Sequence, residues 1–228
     1  MDFKQITQNL RQSAGAFYNQ NKKTVQMVGA AIVIIAGGSY YWYGVHMPAQ
    51  ESKAAEKLAK LEYYFMNDST QMVLNGNKAL KIASAPSIAD EFGGTKKGSE
   101  AALMAGLTYL HTGEFQKALD YLELARMGDA VLGPQVLAAQ AACYSELNDM
   151  GKAAKMYERA AKLGDNEFTA RNYVKAAQHY TLNKDYKAAL RCWQVLKDEY
   201  PLSQELGQDV QNADMYINQL KGLLGELN

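Results

Sequence analysis

The stretch Pro134–Asp165, PQVLAAQAACYSELNDMGKAAKMYERAAKLGD, decides the fold. Small and aromatic residues alternate through it at fixed spacing: Ala141, Tyr144, Ala153, Tyr157, Ala160. The same spacing occurs upstream as Gly106, Tyr109, Ala118, Leu122, Ala125, and downstream as Ala177, Tyr180, Ala189, Trp193, Leu196. Tyr109 and Tyr144 are 35 residues apart, and Tyr144 and Tyr180 are 36 apart. A period of this size marks a stacked array of helix pairs. The spacing predicts helices over 99–112 and 114–127, 134–147 and 149–163, and 167–182 and 184–199. Gly113 and Asn148 fall in the turns inside the pairs. Gly106, Ala141 and Ala177 on the first helices, and Ala118, Ala153 and Ala189 on the second, let paired helices approach closely.

Outward from the array, Pro201 ends the last helix. Leu202 to Leu227 reads as an amphipathic capping helix with Gln204, Gln208, Asp209, Gln211 and Asn212 facing out. Upstream, Pro48 suits the first turn of a new helix over Ala49–Met66. Asp68 to Lys78, with Asn75-Gly76-Asn77, reads as a turn-rich connection. A further helix is expected over Lys78–Phe92, broken near Pro86 and stopped by Gly93-Gly94. Gly93 to Ser99 lacks the Gly-Lys-Ser/Thr ending of a phosphate loop, so it reads as a helix stop followed by an N-cap at Gly98 or Ser99. The expected fold is all-α.

Val25 to Val45 carries no Asp, Glu, Lys, Arg or His and so no side chain charged at pH 7. As a helix it spans roughly 31 Å, the depth of the bilayer hydrocarbon. Tyr40, Tyr41, Trp42 and Tyr43 gather at its far end, where amphipathic rings favour the headgroup level. Its exit through bulky aromatics favours an uncleaved signal anchor over a cleaved signal peptide; a buried core helix is the other reading. Residues 1–23 are either a short amphipathic surface helix or a loosely ordered basic flank. Lys4, Arg11, Lys22 and Lys23 stand there against one acid, Asp2, in a chain whose charges balance at 24 and 24. This asymmetry places the N-terminus in the cytoplasm and the large domain outside. The balance also gives no global field that would favour nucleic acid. The organisation expected is a cytoplasmic segment 1–23, an anchor 24–45 including Val25, Ile32 and Ile35, and an extracytoplasmic domain 46–228. That domain comprises a divergent pair 48–94, repeats 99–130, 134–165 and 167–201, and a cap 202–227.

The repeats resemble the tetratricopeptide (TPR) repeat. Its pattern is met by Gly106, Tyr109, Gly113, Phe115, Ala118, Leu122 and Ala125 in the first copy. In the third it is met by Tyr173, Ala177, Tyr180, Tyr186, Ala189, Trp193 and Pro201. Lys184, where Gly is usual, and Met150, in place of an aromatic, are departures. The resemblance implies a TPR-type α-solenoid of about four helix pairs with a C-terminal cap. The whole layout also resembles the YfgM-type ancillary subunit of the bacterial Sec translocon, in its Bacteroidota-like members. The segments carrying this are Leu74-Asn75-Gly76-Asn77, Glu91-Phe92-Gly93-Gly94-Thr95 and Gly164-Asp165-Asn166-Glu167-Phe168-Thr169. It implies a single-pass inner-membrane protein whose periplasmic domain works beside the translocon and a PpiD-like chaperone on exported chains. An envelope-assembly or cell-division adaptor of the same fold is the alternative.

The chain has three histidines, His46, His111 and His179, and two cysteines, Cys143 and Cys192. No H-E-x-x-H, G-x-S-x-G or paired-Cys motif occurs. The expectation is no enzyme activity, no cofactor and no metal. Cys143 and Cys192 read as buried thiols, with a disulfide between them the alternative in an oxidising compartment. In the fold implied by the resemblance, the first helices line a concave face. By register its residues are Glu100, Leu103, Leu107, Leu110 and His111, then Gln135, Ala138, Ala142, Ser145 and Glu146, then Arg171, Val174, Gln178, Thr181 and Leu182. Leu103 and Leu107 read equally as packing against the preceding pair. The Lys and Asn with which chaperone-tail clamps of this family hold a terminal carboxylate are absent. An extended or helical peptide with apolar anchors fits this face better.

Overall fold

The structure, a computed structural model, describes residues 12, 14, 16–126, 131–164, 168–200 and 212–226. Among these the chain is all-helical, apart from one isolated bridge between Asn77 and Ile82. It divides into two compact units, Met1–Gln50 and Glu51–Asn228.

In the first unit, helix α1 (Lys22–Tyr41) is followed by a π-helical turn, Trp42–His46. Helix α2 (Met47–Met66) begins directly after it, so Pro48 does not open a separate helix. The π turn explains how the proline is tolerated. Met47 donates its N–H to Trp42 O, a five-residue step that changes the hydrogen-bond register just before the residue lacking an N–H. The indole of Trp42 stacks on His46 with centroids 4.6 Å apart. No side chain of α1 is buried. The run Lys22–Met66 is the one described helix long and apolar enough to cross a membrane.

The second unit is a succession of helices: the remainder of α2, then α3 (Thr70–Asn75), α4 (Ala85–Phe92), α5 (Lys96–His111), α6 (Phe115–Leu124), α7 (Leu132–Glu146), α8 (Met150–Leu163), α9 (Phe168–Leu182), α10 (Tyr186–Glu199) and α11 (Ala213–Leu224), each from α3 on packed against the next. Four of the connections share one turn. Asp68, Gly113, Asn148 and Lys184 all have φ between 52° and 80°. The residue after each donates its N–H to a tyrosine carbonyl five positions back: Ser69 to Tyr64, Glu114 to Tyr109, Asp149 to Tyr144 and Asp185 to Tyr180, at 2.8–2.9 Å. This is the Schellman closure, which satisfies carbonyls left open at a helix C-terminus. Asp149 and Asp185 then cap the following helix by accepting from Lys152 N–H and Ala188 N–H.

The turn after Tyr64 therefore has the geometry of the three expected repeats. The sequence disguises it, because the segment after it departs from their pattern. Residues 70–75, expected as a connection, form α3, and the chain then folds back through the Asn77–Ile82 bridge with Lys81 at φ 54°. The helix expected over Lys78–Phe92 starts only at Ala85, capped by the Ser84 hydroxyl, with Pro86 in its first turn. The expected cap at Gly98 or Ser99 is likewise corrected. Thr95 Oγ1 accepts from Gly98 N–H at 2.9 Å, and Glu51, on α2, accepts from Lys96 N–H at 2.8 Å. A carboxylate from a distant helix thus completes the cap.

The core forms two apolar clusters. One joins α2 through α7, with Leu58, Leu61, Ile88 and Leu122 fully buried. The other joins α7 through α11 around Trp193. The α11 helix packs on α10, where Tyr216 stacks on Trp193 at 4.4 Å. Pro201, Gln204, Gln208, Asp209 and Gln211 lie outside the described residues, as do 127–130 of the first repeat. Asn212, expected on the outer side, is half-buried next to α11. Helices α8 and α9 are tied by Tyr180, whose hydroxyl donates to Glu158 at 2.5 Å while Lys162 donates to the same carboxylate. Burial opposes the charge on Glu158, but these two donors prevail and hold its carboxyl below the usual range.

Two tests follow from this packing. A Cβ on Gly106 would stand 2.6 Å from Leu122 Cγ, and one on Gly98 would stand 1.9 Å from Phe92 O. Gly106→Ala is expected to cost about 1–3 kcal/mol in urea unfolding, and Gly98→Ala more, because backbone cannot give way as a side chain can. The control Gly29→Ala, with open space around it, leaves the midpoint unchanged. A carboxyl held below its unfolded value, which is about 4.3 for Glu, contributes stability above that value. The contribution is lost as pH falls through the folded value. Acid unfolding of Glu158→Gln, followed by circular dichroism, should therefore show a shallower loss of stability than the parent over this range.

Candidate protein-interaction groove

The fifteen positions expected on a binding face lie on α5, α7 and α9, and they do not behave alike. Leu103 is 9% exposed and Val174 is 4% exposed, and both belong to the core. As binding positions they are corrected: each is packed against a neighbouring helix and presents no surface to a ligand. Leu107, Leu110, Ala138, Ala142, Ser145, Thr181 and Glu100 are partly exposed, and Glu100 is paired with Lys97 at 2.5 Å. His111, Gln135, Glu146, Arg171, Gln178 and Leu182 are exposed, Leu182 at 65%.

Three cavities collect eight of the fifteen. Leu107 and His111 meet Phe65 and Val73 in one of about 200 Å³. Gln135, Ala138 and Arg171 meet Pro134, Phe168, Asn172 and Lys175 in one of about 350 Å³, between α7 and α9. Gln178, Thr181 and Leu182 meet Trp193, Tyr216 and Gln219 in one of about 450 Å³, at the α11 end. A further hollow of about 590 Å³, flanked by Arg126 and Arg159, contains none of the fifteen. Phe168, Asn172 and Lys175 were not among the expected residues. The signal for Phe168 and Lys175 was available: they flank Arg171 at three and four positions, one face of a helix. Trp193 and Tyr216 carried no such signal, because their meeting depends on how α11 packs.

The chemistry of the middle cavity is cationic beside apolar. Arg171 lies over the Phe168 ring at 5.6 Å, and the Lys175 ammonium lies 5.2 Å from the Tyr157 ring centroid. Burial, with the nearby Arg171 charge, holds Lys175 below the usual lysine range. Behind it, His179 bridges the two helices. Its Nδ1 lies 2.7 Å from Lys175 O, which only accepts, so Nδ1 donates there, and Nε2 pairs with Ser145 Oγ at 2.9 Å. These contacts commit both ring nitrogens to fold contacts. Among the described residues no three His, Cys, Asp or Glu side chains gather closely enough to hold a metal ion.

Cys143 and Cys192 are free thiols, and the alternative of a bond between them is not what the structure contains. They sit in different core clusters. Burial pushes Cys143 up to about 11 and Cys192 up to about 12.

Comparison of the chain with protein-family models and with curated proteins gives no match.

Because the thiolate is the reactive form, both cysteines should be inert to a charged disulfide reagent at pH 8 in the native chain. Both should react within the mixing time once urea unfolds it, read as released thiol absorbance. Fast labelling of either in the native state would contradict the burial described.

Proposed function

We propose that this protein is a membrane-anchored, non-enzymatic interaction scaffold, whose helical domain is a TPR-type solenoid binding other proteins through the α5–α7–α9 face. The observation that carries the reading is the turn shared at Tyr64, Tyr109, Tyr144 and Tyr180. A recurring closure of this kind is what a stack of equivalent helix pairs requires. The cavities along α7 and α9 support a binding role, since they combine apolar floor with a few convergent polar groups. The exposed apolar α1 and the aromatic residues Tyr40 to Tyr43 support an anchor. With the basic flank inside, the domain would stand in the periplasm. The resemblance to YfgM-type subunits then puts its partners at the Sec translocon, with a PpiD-like chaperone and exported chains as candidates.

The reading is tested in intact cells with a photocrosslinking amino acid at Gln135 on the domain and at Tyr43 by the membrane. Translocon subunits or a PpiD-like chaperone are expected from both positions. Recovery of division or outer-membrane assembly proteins alone would replace the translocon with the adaptor alternative. If Gln135 captures no protein at all, the scaffold reading fails.

A further inference from the structure

We infer that the π-helical turn Trp42–His46, at the far end of the apolar helix, is a binding site for the ammonium headgroup of a phosphatidylethanolamine-type lipid. This rests on the anchor reading and specifies what the anchor recognises where it leaves the hydrocarbon.

The site is built around one backbone carbonyl, that of Tyr43. In an α-helix this oxygen accepts from the N–H four residues on, and in a π-helix from the N–H five residues on. The first of these, Met47 N–H, is given to Trp42 O instead. The second does not exist, because residue 48 is proline. Tyr43 O therefore has neither helical donor, and no side-chain or turn hydrogen bond of the described residues reaches it. The backbone beside it is bare: residue 44 is glycine, and a Cβ there would meet only the Tyr40 ring, at 3.7 Å.

Position and surroundings say what can serve this oxygen. An unpaired carbonyl has no donor to turn to in hydrocarbon, but Tyr43 stands two residues from the end of the apolar run, at the level where aromatic rings meet headgroups. Tyr40, Trp42 and Tyr43 are all exposed within one helical turn. The faces of such rings attract a cation, and among the described residues no Lys or Arg lies over any of the three. His46 has its ring stacked on Trp42. From Thr24 to Ser52 the chain carries no Lys or Arg that would repel an ammonium or draw a phosphate. An acceptor without a donor, ringed by π faces and free of cations, fits a positively charged N–H donor. Its bond to the carbonyl is charge-assisted, about twice as strong as the neutral one that water would make. A choline headgroup has the charge for the rings but no N–H for the carbonyl, and the phosphate of an anionic lipid finds no donor here.

The test uses the full chain in neutral-detergent micelles containing equal amounts of phosphatidylethanolamine and phosphatidylcholine with the same acyl chains. Native mass spectrometry reads which lipid the chain retains. The unaltered chain should retain the ethanolamine lipid over the choline lipid by about tenfold. The N,N-dimethylethanolamine lipid, which keeps a single N–H, should be retained like the ethanolamine one. Pro48→Ala restores a helical donor, in a substitution that favours the helix, and should bring the two lipids to parity. Gly29→Ala, in mid-span with open space around it, should leave the preference unchanged. Parity in the unaltered chain would mean that water serves the carbonyl and would overturn the inference. So would a preference that survives Pro48→Ala, or a preference for choline, which the rings alone would give. If the chain needs detergent but retains the two lipids equally, only this inference fails. If it stays soluble without detergent and retains no lipid, the anchor reading fails with it.

Discussion

The domain depends on close contact between helices at residues with almost no side chain. Gly106 faces Leu122 so nearly that a single added carbon would overlap it, and Ala118, Ala141, Ala153, Ala177 and Ala189 are all fully buried. Such contacts bring backbones together and leave the larger side chains to fill the spaces on either side. Tyr157, Tyr180 and Trp193 occupy those spaces and are buried as a result. The aromatic residues are thus placed by the small ones. A buried tyrosine hydroxyl needs a partner, and that of Tyr180 finds one in Glu158, which couples α8 to α9.

The turns impose the second constraint. A Schellman closure needs a residue in the left-handed region, which glycine meets without cost and other residues meet with some strain. Here glycine serves once, at Gly113, while Asp68, Asn148 and Lys184 take the same conformation. Asn and Asp tolerate it better than most residues. Lys184 has no such excuse, and its conformation follows from the two helices on either side being fixed by their packing.

The surface proposed for binding is what is left after these demands are met. Along α9, Val174 and Tyr180 are taken by the core, Tyr180 and His179 by bonds to α8 and α7, and Phe168, Arg171, Lys175, Gln178 and Leu182 remain outward. The same helix therefore stabilises the domain with one face and offers mixed cationic and apolar chemistry with the other. In the first unit the division is simpler: no residue of α1 is buried, and the apolar surface is available to lipid.

Periodicity in the amino-acid sequence determined the all-helical class, the three regular pairs to within a few residues, and the apolar run at the N-terminal end. Those features depend on residues near one another in the chain, so local spacing reveals them. The turn at Asp68 escaped because the ten or so residues after Asn75 break the period, although Tyr64 stands where the other tyrosines do. The Glu51 cap on α5 escaped because its two halves are 45 residues apart. The positions proposed for binding were legible as a helix face only. Spacing cannot tell Leu103 and Val174, which neighbouring helices cover, from Leu107 and Leu182, which they do not. Nor could it bring Asn172 and Lys175 opposite Gln135. Which side chains end in the core and which around a cavity is decided by the packing of one pair on the next, and only the tertiary structure contains that.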